Sequence, residues 1–273
     1  MRLIAHISDL HFGRHDPRKV AALLHSLEDN RPDLVVVSGD LTQRARRTEF
    51  AEARQFLDRI GKPIVVVPGN HDVPLYAVHQ RFLQPFTKYN RFIAPSGIEN
   101  SYFADAQLAV LGLNTARRLV WKAGRVSFEQ MGEIRRAFAD LPQDVWKILV
   151  THHPLASAEG EPMIELAGRA RLALRTVADA GVHILLSGHH HRAVVGGVEP
   201  KLVLDGTVLV IHAGTAVSGR TRGTEGNSFN LIQLEAAHVR VTVMEWSQNG
   251  FQPGRTTSYA FQPALGRLSL DHR

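Results

Sequence analysis

Five short groups of residues are where this sequence could do chemistry: Asp9-Leu10-His11, Asp40, Asn70-His71-Asp72, His152-His153 and His189-His190-His191. They offer carboxylates, imidazoles and one carboxamide, the nitrogen and oxygen donors that hold divalent cations. Cysteine is absent, which excludes thiolate metal ligation and any disulfide framework. Each group follows directly on an apolar, largely β-branched run, as in Leu34-Val35-Val36-Val37 before Asp40 or Val65-Val66-Val67 before Asn70. A buried strand that ends in a turn bearing functional side chains is how an open α/β sheet presents a site at the carboxyl ends of its strands. Alternate side chains of extended chain share a side. On that pattern Asp9 and His11 converge while Leu10 turns to the core, and His189 and His191 do likewise. One such group is usually a satisfied polar residue, but five in one chain do not arise as a packing accident.

The elements that must carry these loops alternate in period. Leu3 to Ser8 reads as a strand, and Pro17 to Asp29 as a helix with Val20, Leu23, Leu24 and Leu27 on one stripe and proline in its first turn. Leu34 to Val37 is the next strand, Glu49 to Ile60 a helix closed by Gly61, and Pro63 to Val67 a third strand. Short connections between such units predict parallel strands with right-handed crossovers. Residues 73–98 are aromatic-rich and hold three prolines, and are read as a cap over the site or a dimer insertion. Tyr102-Phe103 with Leu108 to Leu113 reads as a hairpin, and Ser127 to Leu141 as a helix with Ser127 and Gln130 in a capping box. Trp146 to Val150 and Val182 to Leu186 are strands, with a helix over Glu165 to Ala180 between them. From 193 to 262 the pattern turns to short β-rich pieces, expected to supply a second, antiparallel sheet to the same domain.

At 273 residues, with 44% hydrophobic and 21% charged content, the chain is expected to form one globular domain over 1–273. The start lacks the apolar region of a secretory signal, and no stretch reaches the roughly 18 apolar residues of a spanning helix. A cytoplasmic location is the expectation. The formal charge of +6 (32 basic, 26 acidic) suggests an acidic partner such as a phosphorylated metabolite, a nucleotide or an anionic lipid. Its densest basic group, Arg44, Arg46 and Arg47, is too short for a polybasic tract, which argues against nucleic acid.

In order, Asp9-x-His11, Gly39-Asp40, Gly69-Asn70-His71-Asp72, His152 and Gly188-His189-x-His191 resemble the signature of the calcineurin-like metallophosphoesterase superfamily. The resemblance runs from about Leu3 to Trp246. Among its branches the chain most resembles the bacterial class III cyclic nucleotide phosphodiesterases. It shares with them compact size, the Gly-Asn-His-Asp form, the His-His-Pro turn and the Ala213-Gly214-Thr215 and Asn227-Ser228-Phe229 stretches.

The resemblance implies an α/β fold, a four-layer α/β/β/α sandwich of two mixed sheets flanked by helices, with two metal ions. The pair is two divalent ions or one trivalent and one divalent, and Mn, Fe, Zn and Co all suit the donors. It implies that Asp9, His11 and His191 hold one ion, that Asn70, His152 and His189 hold the other, and that Asp40 bridges them. His71 would sit at the substrate, stabilising the phosphorus centre or protonating the leaving group, with Asp72 orienting it. His153 and His190 are read as packing or outer groups, and His6, His25, His79, His183, His212 and His238 have no motif context. Two divalent ions less two carboxylates and a bridging hydroxide leave a site near +1, suited to a phosphodiester monoanion and to in-line attack of that hydroxide. Asn70 and His71 would also contact the substrate. Arg220 and Arg222, in the Gly/Thr-rich loop from Gly214 to Gly226, are further candidates for its phosphate or sugar.

The expected activity is that of a dinuclear-metal phosphodiesterase on a small phosphodiester, a 3′,5′-cyclic nucleotide first. Alternatives are a glycerophosphodiester, or a membrane-surface lipid such as UDP-2,3-diacylglucosamine, although hydrolases devoted to that lipid typically carry Arg where this chain has His71. A nuclease of the same superfamily and a non-catalytic phosphate-binding scaffold complete the set. A homodimer is compatible with all of them.

Overall fold

The computed structural model describes residues 1–75, 77–95, 101–119, 122–159, 162–198, 208–219, 226–262 and 267–270. Strands Arg2–Ile7 (β1), Leu34–Val37 (β2) and Ile64–Val66 (β3) are parallel neighbours connected by helices Pro17–Asn30 (α1) and Arg47–Ile60 (α2). The first helix starts where its sequence directs: Asp16 caps it by accepting the Arg18 N–H, and Pro17 occupies the first turn. Its Leu23 and Leu27 are buried against the sheet together with Phe50, Ala53, Phe56 and Leu57 of α2.

A second parallel set consists of Leu108–Leu113 (β5), Trp146–Thr151 (β6), Ile184–Ser187 (β7) and Leu209–His212 (β9). Its edges are antiparallel, Ser101–Ala104 (β4) on β5 and Val194–Gly197 (β8) on β9. Helices Phe128–Phe138 (α5) and Ala170–Asp179 (α6) cover its outer face. The capping box of α5 forms as its sequence predicts: Ser127 Oγ accepts the Gln130 N–H at 3.1 Å, and Gln130 Oε1 accepts the Ser127 N–H at 3.0 Å. The expected helix over Glu165 to Ala180 begins only at Ala170. Before that point the backbone is committed elsewhere, Ala167 donating to Pro154 at 2.8 Å and Gly168 to Gly124 at 2.7 Å. Arg169 then takes a left-handed backbone (φ 65°), which no right-handed helix passes through.

The last third of the chain departs from expectation in one respect. Ser228–Leu234 (β10), His238–Ser247 (β11), Gly250–Gln262 (β12) and Arg267–Leu270 (β13) are antiparallel, but they make no sheet of their own. They extend the first sheet from β1, giving the order β13-β12-β11-β10-β1-β2-β3, while β8 and β9 join the second, β4-β5-β6-β7-β9-β8. The cause lies in β1, whose Ile4, Ala5, His6 and Ile7 are all fully buried. A strand buried on both faces belongs in the interior of a sheet, and β10 supplies the second neighbour.

The two sheets pack face to face through one apolar layer, Val36, Val65 and Ile232 from one against Ile148, Leu186 and Ile211 from the other. With helices outside both, the architecture is four layers, α/β/β/α. Within residues 73–98, helices Val78–Leu83 (α3) and Thr87–Phe92 (α4) form. Tyr89 of α4 is buried and Phe92 stacks on Phe50 of α2 at 6.3 Å, so this half belongs to the helical layer. By contrast α3 leaves Phe82 and Leu83 exposed and anchors through buried Arg81, which donates to the carbonyls of Arg118 at 2.8 Å and Pro74 at 3.1 Å.

Candidate metal centre

The loops after β1, β2, β3, β6 and β7 meet at one rim of the sandwich, the carboxyl end of the parallel strands. His191 Nε2 lies 3.1 Å from Asp9 Oδ1 and 3.3 Å from His11 Nε2. His152 Nε2 lies 3.2 Å from Asn70 Oδ1 and 3.3 Å from His189 Nδ1. Asp40 Oδ2 stands between the two sets, 3.8 Å from His11 Nε2 and 3.4 Å from His152 Nε2. All seven residues named from sequence as ligands are thus brought together. His71 joins them, with a ring nitrogen within 4.8 Å of donor atoms of His11 and Asp40.

Asp9 and His11 do converge with Leu10 buried between them, but extended alternation is not the means. Asp9 (φ 52°), His11 (φ 47°), Asp40 (φ 52°), His189 (φ 74°) and His191 (φ 58°) are all left-handed. A non-glycine residue in that region costs roughly 1–2 kcal/mol. Such strain persists only where surroundings fix it, and it gathers at functional sites. Here the fixing bonds run between loops: Asp9 N–H to Gly39 O at 3.1 Å, His11 N–H to Asp40 O at 3.0 Å, and His189 N–H to Asp9 Oδ2 at 3.0 Å. Gly39 permits a close approach: its φ is +93°, and a Cβ there would stand 2.6 Å from His152 Nδ1.

Asp72 and His71 are held in different ways. The buried Asp72 carboxylate accepts the backbone N–H groups of Leu41 (3.1 Å), Thr42 (2.8 Å) and Gly69 (2.9 Å) and the Thr42 hydroxyl (2.8 Å). It ties the β2 and β3 loops together and positions the 3-10 turn Asn70–Asp72, rather than orienting the His71 imidazole as expected. That ring is held through Nδ1, which donates to the Gln43 carbonyl at 2.8 Å and leaves Nε2 as the nitrogen for the site. His152 is set in the same manner, its Nδ1 donating to the Ser38 carbonyl at 2.8 Å. Sequence reasoning missed Ser38, Thr42 and Gln43. Two of them act through main-chain carbonyls, which residue type does not reveal.

Charge is concentrated and buried. Burial opposes ionisation of Asp9 and Asp40, yet surrounding imidazoles, His191 and His11 for the first and His152 and His71 for the second, hold both below the usual carboxylate range. Burial opposes the His152 imidazolium, but Asp40 outweighs it and pushes the pKa up to about 9. Burial and then His152 push His189 down to about 3. Asp9 Oδ2 accepts the Ser8 hydroxyl at 2.6 Å, whereas fully buried Asp9 Oδ1 makes no well-aligned hydrogen bond and faces the His191 and His11 nitrogens. An unsatisfied buried carboxylate oxygen amid converging imidazole nitrogens is a donor set that fits cations.

Residues 2–193 match the family described as calcineurin-like phosphoesterase. The chain belongs to that family. It is therefore a metal-dependent phosphoester hydrolase, and calcineurin-like dimetal enzymes work with two metal ions. A glycerophosphodiester phosphodiesterase of Enterobacter lignolyticus is 29% identical over 213 residues, 69% of this chain and 70% of that protein. A probable cyclic nucleotide phosphodiesterase of Synechococcus is 32% identical over 81 residues, 26% of this chain and 31% of that protein. Among solved structures, a dimetal phosphatase from Danio rerio aligns with a TM-score of 0.64 at 13% identity, over 92% of this chain and 98% of that one. At that identity the likeness is one of fold. Arg220 and Arg222 lie outside the described residues, although neighbouring Gly219 donates its N–H to the Arg14 carbonyl at 3.0 Å in the β1 loop. No helix among the described residues is long and apolar enough to cross a membrane.

Proposed function

We propose that this calcineurin-like phosphoesterase hydrolyses a small phosphodiester at the centre described above. Asp9, His11 and His191 hold one metal ion, Asn70, His152 and His189 the other, and Asp40 serves both. The observation that carries the reading is the pair of donor sets on either side of Asp40, with Asp9 Oδ1 left for a cation. Bound cations supply Lewis acidity and make water deprotonable near neutral pH.

The chain's own residues do the rest. His71, fixed by Gln43, presents Nε2 toward the donor cluster, where it can stabilise the phosphoryl oxygens or give a proton to the leaving alcohol. Asn70 contributes a neutral oxygen, limiting the negative charge that a phosphodiester anion must approach. Asp72 and Thr42 keep the 70–72 turn in place. Arg220 and Arg222 are proposed to reach the substrate's phosphate or sugar, which the tie between Gly219 and the β1 loop supports. The core shared by both sheets supports reading 1–273 as one domain.

Two substrates have specific support. A 3′,5′-cyclic nucleotide is favoured by the resemblance of the Gly-Asn-His-Asp and His-His-Pro turns, and a glycerophosphodiester by the longer alignment, 69% of the chain against 26%. Turnover of cyclic AMP, cyclic GMP, 2′,3′-cyclic nucleotides, glycerophosphocholine and UDP-diacylglucosamine, each with added manganese or with chelator, decides between them. Metal-dependent hydrolysis of one small diester is the expected result. Metallated protein that leaves all of them untouched would overturn the reading.

A further inference from the structure

The layer between the sheets is apolar except at its upper end, directly beneath the ligand loops. There two imidazoles are enclosed, His6 on β1 and His212 on β9, respectively 0% and 3% exposed. Neither carries a ligand role, and both cost desolvation that leucine or phenylalanine would avoid. Each meets a serine. His6 Nε2 lies 2.9 Å from Ser38 Oγ, and His212 Nδ1 lies 3.1 Å from Ser187 Oγ.

The two serines occupy equivalent places. Ser38-Gly39-Asp40 leaves β2 and Ser187-Gly188-His189 leaves β7, and in each case the third residue is left-handed and faces the donor cluster. The glycine is needed in both, since a Cβ on Gly188 would collide with Ser8 Oγ and Asp9 Oδ2 much as one on Gly39 would with His152. The same Ser-Gly-X device therefore recurs once in each sheet, with a buried histidine from a neighbouring strand on its hydroxyl. Both devices converge on His152, whose Nδ1 bonds the Ser38 carbonyl at 2.8 Å and whose carbonyl accepts the Gly188 N–H at 3.2 Å.

We propose that His6 and His212 are a matched pair of positioning residues, each holding the serine that opens a ligand loop, and that both act on the metal position built from Asn70, His152 and His189. This rests on reading that position as a metal site. Burial, with the facing His212 second, pushes His6 down to about 3, and burial, with His190 second, pushes His212 down to about 4. Both are neutral, so they share the layer without repulsion and act as fixed hydrogen-bonding groups.

Amide substitutions separate this role from packing. The side-chain nitrogen of glutamine reaches where imidazole Nε2 stands, and that of asparagine where Nδ1 stands. His6→Gln and His212→Asn should keep the serine bond, and His6→Asn and His212→Gln should lose it. Manganese binding to the full chain, followed by calorimetry and by the paramagnetic spectrum of the bound ions, is the readout. The wild type should take up two ions. The first pair of variants should stay within about twofold of it, and the second pair should bind one ion ~10- to 100-fold more weakly, the usual scale for groups that orient metal ligands. Ser38→Ala and Ser187→Ala, which remove only an oxygen, should reproduce that loss. Wild-type binding of two ions with all four amide variants alike, or with both alanine variants unaffected, would overturn the proposal alone. A wild type that takes up no pair of ions would overturn the site reading and the proposal with it.

Discussion

The seven-stranded sheet brings to the rim the carboxylates Asp9, Asp40 and Asp72, together with His11, Asn70 and His71, whereas the six-stranded sheet brings His152, His189 and His191. The acidic half is braced by hydrogen bonds within and between its own loops, four of them on the Asp72 carboxylate. The imidazole half is positioned largely by its partner: His152 by the Ser38 carbonyl, and the His189 main chain by Asp9. Neither proposed metal set can be completed from one sheet. Packing the sheets and assembling the centre are therefore one event, and binding of cations should be linked to stability of the whole fold.

The strongest way to break this picture is to remove the carboxylate that faces both sets. Asp40→Ala should abolish uptake of both ions and lower turnover by at least ~10³-fold, the upper range for losing one electrostatic element of a site. Metal analysis checks it, and retention of two ions per chain would contradict the shared role. His71→Ala sharpens the division of labour within the acidic half. It should lower turnover by ~10²- to 10³-fold while two ions remain bound, because its imidazole is proposed to act on substrate. Unchanged turnover would remove it from the chemistry.

Linkage between the halves has its own measurement. At a hundredfold excess over its dissociation constant each ion should stabilise the fold by about 2.7 kcal/mol. For a chain of this size that raises Tm by roughly 5–10 °C relative to chelated protein. Asp72→Asn should cost about 2 kcal/mol in denaturant melts, since an amide NH₂ would confront donors that now meet a carboxylate oxygen. If it instead melted like the wild type while losing turnover, Asp72 would belong to the chemistry and not to the bracing.

The ligand residues were legible because each stands at the end of an apolar run, a one-dimensional pattern that survives without coordinates. How they converge was not. Alternation along extended chain predicts that Asp9 and His11 share a side, but left-handed turns at both bring them together, and sequence marks such turns mainly where glycine occupies them. Placement of β10 to β12 was hidden for a related reason. Their hairpin signals show that they pair with one another, and only the double-sided burial of β1 shows where the hairpins attach. His6 and His212 looked bland because their partners lie on neighbouring strands, close in space and distant in sequence.

One histidine of the six-stranded sheet lies at the opposite end of its strands and shows what burial does to an imidazole away from the donor cluster. His183 precedes β7, its Nδ1 accepts the Lys147 backbone N–H at 3.0 Å, and its ring packs edge-on to Trp146 at 5.3 Å. Burial, helped by Lys147, pushes its pKa down to about 4. A histidine depressed in the folded state binds its proton more readily when unfolded. Its contribution is therefore complete above about pH 6.5, is lost progressively as pH falls toward 4, and changes no further below that. At pH 5.5 the loss should be about 1 kcal/mol. In His183→Asn the side-chain oxygen can accept the same N–H and does not titrate in this range, so comparison with the wild type cancels the acid sensitivity of the rim. The gap between their unfolding free energies should shift by that amount between pH 7.5 and 5.5. A constant gap would show that this imidazole titrates alike in the folded and unfolded chain, and that its place in the six-stranded sheet does not suffice to keep histidine neutral.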